Sequence, residues 1–490
     1  MKDNLLQVSI QGILLLLLLP FLGWSQMNEA AQRGREIFRK GMSEDDSKIM
    51  ALMSGTQVPA TVLPCASCHG MDGRGRPEGG VVPSNITWEA LTKNYDGKRS
   101  NGRQHPAYNK AYLKRAIAMG LDPAGNPLNA SMPKYQMNQQ QMDDLVAYLQ
   151  VLGQEAVEGV TDTTLIIGAL FRSEPGFAEM NEVVGQIIRA YFAEINGQGG
   201  LFNRQLELQA LQSLDHTPPF ALVSSWVEVD PHLPEGLPVV GGMASFPEED
   251  ASKNQSLFYL LPGLRQMATA LGKQVTKDKI AIVYRAGPTR ETLVDAFLQG
   301  IPNRENTKII MLQTDELQPE AIVSHLEEQG VAQVFLLGEP VEEKQVCDHL
   351  ALGGAVPELL LLGSFTAINI YELPSIWNRH ITLAYPQWIS SASEKGRAMV
   401  AYLQQKYQLS TRYQQSQWAA LAGAILLVDG LKRVGRILTR EKLVATLENT
   451  YQLDTGLLPP LSFTANRRIG SEKIFMLRYE GKEKGLLLLD

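Results

Sequence analysis

Five consecutive residues constrain this chain more than any others. Cys65-Ala66-Ser67-Cys68-His69 sets two thiols three positions apart with an imidazole directly after. Thiols at i and i+3 reach the two vinyl groups of a porphyrin, and the next residue supplies a proximal imidazole, so the pattern is that of c-type haem attachment. A Cys-x-x-Cys pair alone also suits a thioredoxin-like redox pair or half of a zinc site. The adjoining histidine and the lack of a second cysteine pair favour haem. With 3 cysteines the chain has no disulfide framework, and the leftover Cys347 reads as a buried apolar residue.

An iron held in this way takes its sixth ligand from elsewhere, and the sequence offers Met132 in Ala130-Ser131-Met132-Pro133-Lys134-Tyr135, where proline stiffens the loop beside the sulfur. Met137 is its main rival and His105 a further one. Met119 also competes, Met71 stands too close to His69 to reach the opposite haem face, and Met142 shares helical spacing with Leu145 and Leu149, which suits core packing. Gly73 and Gly75 are candidate close-approach positions, and Arg74, Arg76 or Trp88 is placed to meet a propionate.

The chain starts with Lys2 and an apolar run from Ile13 to Gly23, about 11 residues against the roughly 20 that span a bilayer. Residues 1–25 therefore read as an export signal cut after Ser25, which places the mature chain in a bacterial periplasm. Residues 26–153 form a first module that closes on a helix carrying Leu145, Tyr148, Leu149 and Leu152, and residues 154–163 are the expected linker. From 164 onward, strand-like runs at Thr164–Leu170, Phe220–Val223, Ile280–Tyr284, Lys308–Leu312, Gln333–Leu337 and Leu359–Leu362 alternate with helical stretches such as Met180–Ile195, Thr289–Gln299 and Pro319–Gln329. That alternation predicts parallel sheets covered by helices, and the length predicts two α/β lobes. The formal net charge of −7 argues against nucleic acid as a partner; the first module is mildly basic and the second acidic.

Residues 26–153 resemble a class I mono-haem cytochrome c, on CASCHGMDGRG after the opening AAQRGREIFRKG and on the closing SMPKYQMNQQQMDDLVAYLQVLG. The resemblance implies an all-α module with one covalent haem c on Cys65 and Cys68, His69 and Met132 as axial ligands of the iron, and one-electron transfer at a fairly high potential. Residues 164–490 resemble the type I periplasmic binding proteins of the leucine/isoleucine/valine class. That likeness rests on INGQGGLFNRQLEL (Ile195–Leu208), PVVGGMASFPE (Pro238–Glu248), WAALAGAILLVDGLKRVG and DTGLLPPLSFTANRRIGSEKIFMLRYEG. It implies a small molecule held between two Rossmann-like lobes that close by a hinge, lobe one about 162–275 and 385–455, lobe two about 276–384 and 456–490.

Carried over residue by residue, the carboxylate-binding loops of that family fall on Ser224 and Ser225 and on Ala244 and Ser245. The second lobe departs from the pattern. No tyrosine sits at the matching turn of Tyr284–Thr289, and Gly363–Thr366 has no carboxylate to meet an α-ammonium. An ordinary amino acid is therefore a poor ligand, because a buried ammonium needs an acceptor. The segment Leu211–Pro219 is also shorter than in the family.

No catalytic constellation is present in the sequence: His216, His232, His325, His349 and His380 form no metal-spaced pair, and Asp348-His349 reads as a helix-surface pair. The two resemblances imply a periplasmic electron carrier fused to a solute receptor, with a quinoprotein dehydrogenase and a terminal oxidase as redox partners. The alternative is a capture subunit for an ABC permease, or a sensor, in which the haem gates or reports binding.

Overall fold

The computed structural model describes the chain except residues 1–27, 46, 76–82, 94–103, 154–156, 215–217, 228–232, 235, 316–317, 355, 366–368 and 490. The expected export signal lies outside the described residues, as do Arg76, His216, His232, Thr366 and the first three residues of the expected linker. No described helix is long and apolar enough to cross a membrane. The chain divides into two units, Met1–Ala156 and Val157–Asp490.

In the first unit the order is α1 (Glu29–Lys40), β1 (Met50–Met53), β2 (Thr56–Pro59), α2 (Cys65–His69), α3 (Trp88–Thr92), α4 (Lys110–Met119), β3 (Lys134–Gln136) and α5 (Gln139–Val151). The Asn28 side chain accepts the Ala31 N–H to start α1, Arg39 and Lys40 occupy its last turn, and Gly41 ends it at φ 68°. A reciprocal Asn138/Gln141 capping box starts α5. The two helices cross at Gly34, where a Cβ would stand 2.0 Å from the Asp144 carbonyl oxygen, so glycine alone permits the approach. Phe38 and Tyr148 then pack with ring centroids 5.4 Å apart. The helical frame carries a feature the apolar pattern did not predict, an antiparallel sheet in the order β2-β1-β3. These strands are three or four residues long, too short to register as an alternation.

The second unit begins with the expected linker residues 157–163, which pack into it. Val160 bridges to Leu165, and Glu158 pairs with Arg440 at 3.0 Å. Its first sheet is parallel, in the order β5-β4-β6-β7-β8, from β4 (Thr164–Leu170), β5 (Gln205–Leu211), β6 (Ala221–Val223), β7 (Val239–Gly242) and β8 (Leu257–Tyr259). Its helices are α6 (Ala178–Gly197), α11 (Glu394–Tyr407), α12 (Gln414–Val434) and α13 (Arg440–Leu447). Helix α12 is buried on nearly every face and packs on β6, β7 and α6, which accounts for its apolar composition.

The second sheet runs β10-β9-β11-β12-β13-β14-β15, from β9 (Lys279–Tyr284), β10 (Lys308–Gln313), β11 (Gln333–Leu337), β12 (Glu358–Leu362), β13 (Ile381–Tyr385), β14 (Phe475–Gly481) and β15 (Gly485–Leu488). It is parallel through β13, and β14 and β15 are antiparallel. Helices α7 (Leu264–Gly272), α8 (Pro288–Gly300), α9 (Pro319–Glu328) and α10 (Pro340–Leu352) cover it. Cys347 lies fully buried in this lobe's core.

Two lobe boundaries differ from the expected ones. Helix α7 packs on α8, β12 and β13, so the chain enters lobe two just after Leu260 rather than at 276. Residues 456–471 stay with lobe one: Leu461 and Phe463 lie in its core, Ile469 bridges to Tyr259, and Arg468 pairs with Glu448 at 2.7 Å with only 2% of its side chain exposed. The reason is physical, since that buried pair and the apolar side chains hold the strap to lobe one until β14 begins.

Candidate functional site

The haem-type motif sits on one short helix. Pro64 in extended conformation precedes α2, and Gly70 at φ 73° ends it with its N–H on the Ala66 carbonyl. Cys65 and Cys68 fall one turn apart, half-buried and exposed respectively, while Ala66 turns into the core. Burial raises the Cys65 thiol pKa to about 12 against the hydrogen bond from Tyr135. A dithiol redox pair needs a thiolate of lowered pKa. The thioredoxin-like reading is therefore disfavoured.

The imidazole is prepared for a metal. His69 Nδ1 lies 3.0 Å from the Ser84 carbonyl oxygen, and because a carbonyl only accepts, Nδ1 carries the proton and Nε2 keeps its lone pair. Burial lowers the pKa of His69, against that same hydrogen bond, and favours the neutral ring that metals bind. The DGRG turn makes the contact geometrically feasible: the Gly75 N–H bonds the His69 carbonyl at 2.8 Å, and a Cβ on Gly75 would stand 2.1 Å from the Pro83 carbonyl oxygen. Arg74 pairs with Asp72 at 3.4 Å, and Trp88 packs partly into the core at the start of α3.

Of the sulfur candidates, Met132 is half-buried in a braced loop. Its N–H bonds the Asn129 carbonyl at 3.0 Å, Ser131 bonds the Asn129 side chain, and Pro133 is buried just ahead of β3. Met142 is buried in the core, Met71 and Met137 pack partly against it, and Met119 is 60% exposed at the end of α4. His105 directs Nδ1 to the Pro106 carbonyl at 2.8 Å and sets its ring edge-on to Tyr108. The thiols one turn apart and the oriented imidazole beside them fit a covalently attached haem.

In parallel α/β sheets, ligands bind beyond the carboxyl ends of the strands. At that edge of lobe one the four expected residues fall into two kinds. Ser224 is fully buried at φ 47°, and its hydroxyl donates to the Ala420 carbonyl at 2.8 Å. Ser225 is also fully buried; its hydroxyl accepts the Leu170 N–H at 2.9 Å and donates to the Val223 carbonyl. Both hydroxyls are engaged by the fold, Ser224 against α12 and Ser225 between β4 and its own strand. Ala244 and Ser245 remain half-exposed after β7, and the Ser245 carbonyl accepts the Leu264 N–H of α7.

At the same edge of lobe two, Glu342 binds Arg285 at 2.6 Å and Thr314 at 2.9 Å, and Glu339 binds Arg290 at 2.6 Å. Carboxylates thus stand at the end of β11, next to the Gly363 loop, yet each is already paired. Tyr385 lies over Gly363, where a Cβ would be 2.2 Å from the ring. A cavity of about 440 Å³ opens beside them, lined by uncharged residues that include Asn369, Tyr371, Trp388 and Gln415. Sequence reasoning missed Arg172, which follows β4 with its guanidinium 3.7 Å from the Phe177 ring centroid and 4.8 Å from that of Trp226. The only signal was an arginine and an aromatic residue close behind a predicted strand.

Two known families match the chain, one within each unit. The cytochrome c family model matches residues 55–153, and the periplasmic binding protein model matches residues 231–484, more than half of the chain. Among solved structures, an extracellular ligand-binding receptor from Verminephrobacter eiseniae is 16% identical with a TM-score of 0.50, covering 66% of this chain and 100% of that one. An ABC transporter substrate-binding protein from Desulfitobacterium hafniense, solved in complex with Leu, is 14% identical with a TM-score of 0.51 at the same coverage of each chain. At these identities the likeness speaks for the fold. No curated protein matches the chain. This chain belongs to the periplasmic binding protein family and carries a cytochrome c domain ahead of its binding-protein fold.

Proposed function

We propose that the first unit is a one-electron carrier and the second a solute receptor, joined in one exported chain. The observation that carries the first half is the oriented imidazole: His69 Nε2 is free to ligate because Ser84 holds Nδ1. Cys65 and Cys68 would hold one haem through thioether bonds, and His69 and Met132 would ligate its iron. When bound, the haem supplies reversible one-electron redox chemistry. The chain's own part is to keep the imidazole neutral, brace the Met132 loop through Asn129 and pack Cys65 against the core that holds Tyr135.

The second half rests on two lobes whose parallel strands end at a common type of edge, with Ala244 and Ser245 half-exposed on lobe one and a cavity lined from both lobes, by Gly363 and Tyr385 on one side and Trp388 and Gln415 on the other. A small solute held there, periplasmic localisation and a permease partner follow from the family. Fusion raises the local concentration of the redox centre near whatever the receptor recognises, and a quinoprotein dehydrogenase and a terminal oxidase are the proposed electron partners. Mass and absorption spectra of exported protein test the reading. We expect one covalent haem and reversible reduction with methionine-ligated features; a bare polypeptide overturns it.

A further inference from the structure

We propose that Arg172 is the ligand anchor of lobe one and that the solute is a small carboxylate lacking an α-ammonium group, an inference that rests on the receptor reading above. The expected anion-binding hydroxyls of Ser224 and Ser225 are spent on the fold, so the charge of an acid must be met by something else at that edge. Arg172 stands two residues beyond β4, beside the loops that follow β6 and β7, which are tied by a Trp226–Met243 bridge. Its backbone is fixed, since Asn181 of α6 donates to the Arg172 carbonyl at 2.7 Å and the Trp226 N–H bonds the Leu170 carbonyl at 3.0 Å. Phe177 and Trp226 therefore hold the planar guanidinium over their rings. Glu174 already accepts from this fork, from Nη2 at 2.9 Å and from Nε at 3.4 Å, so a ligand carboxylate binds bidentately by taking its place.

The competitor for this fork is Glu174. The Arg172 side chain is 26% exposed, whereas its partner Glu174, at 2.9 Å, is 58% exposed. An ion pair whose acid faces water is screened, so a ligand carboxylate sheltered between the lobes displaces it. The opposite edge offers an ammonium no sheltered, unpaired acid. Glu342 and Glu339 are each paired at 2.6 Å with Arg285 and Arg290, Asp315 beyond β10 is exposed to water with one oxygen on the Ala286 N–H, and Gly363–Phe365 offers no acid. Amino acids then bury an unanswered charge, while simple acids do not.

The test is calorimetric titration of the full-length, haem-loaded chain with acetate, 4-methylpentanoate, lactate and benzoate, with the amide of each, and with leucine. At least one acid is expected to bind, with its amide and leucine about tenfold weaker or more, as loss of a charge-assisted hydrogen bond predicts. Arg172→Gln should abolish acid binding with an unchanged haem spectrum and circular dichroism. Glu174→Gln, which removes the competitor and leaves the stack, should tighten acid binding and leave the amides unaffected. Amide or leucine binding equal to the acid, or acid binding retained in Arg172→Gln, overturns the carboxylate assignment while the receptor reading stands. No binding by any acid, amide or leucine overturns both.

Discussion

Arg33 forks onto Asp144, Nε to Oδ2 at 2.8 Å and Nη2 to Oδ1 at 2.9 Å, and so ties the first helix of the cytochrome unit to its last. The adjoining residue Gly34 sits against the Asp144 backbone with no room for a Cβ. The ion pair therefore fixes the register of a crossing that the glycine makes close. Gly34→Ala should force α1 and α5 apart and cost about 1–3 kcal/mol by overpacking. Chemical denaturation followed at the haem band checks it, and an unchanged midpoint would contradict so tight a crossing.

Replacing Met132 separates the axial candidates. Met132→Ala should remove the sulfur-ligated signature from both absorption and magnetic circular dichroism and lower the reduction potential, because a thioether ligand raises it. Met137→Ala and His105→Ala should leave both unchanged. A normal spectrum in Met132→Ala would transfer the role to one of the other two residues.

Much of this was legible in the sequence for one reason: periodicity and motif spacing are local. Thr164–Leu170 and Gln333–Leu337 are strands over the predicted bounds because all-apolar runs suit strands buried on both faces. CASCH forms one helix, as a fixed covalent spacing requires. What the sequence hid depends on long-range contact. Strand β5 (QLELQAL) lies at the sheet edge with Gln205, Glu207 and Gln209 on its outer side, and its pairing with β4 identifies it. Ser224 matches the expected ligand loop in sequence, but its hydroxyl is claimed by Ala420, 196 residues away. Arg172 gained its meaning only when Trp226 was brought over it.

That claim on Ser224 has a measurable consequence. Ser224→Ala removes one buried hydrogen bond to α12 and should destabilise the second unit by about 1 kcal/mol, seen as a lower urea midpoint with an unchanged slope. Solute affinity should be unaffected. The reverse outcome, intact stability with lost affinity, would return Ser224 to the binding site.

Acid should loosen the second unit at Glu194. Its carboxylate joins α6 to α11, accepting from Lys406 Nζ at 2.6 Å, the Tyr407 hydroxyl at 2.7 Å and the Tyr402 hydroxyl at 3.1 Å. These donors, Lys406 foremost, hold its pKa below the ordinary 4.5. A carboxyl with a depressed folded-state pKa stabilises above its unfolded value, and that contribution is lost as pH falls through the folded value. Wild-type stability should therefore decline below about pH 4.5, whereas Glu194→Gln, weaker at neutral pH, should decline less and converge with wild type in acid. Melting curves of the two proteins across that range decide it: parallel curves at every pH would mean that the carboxylate adds nothing to the α6–α11 contact.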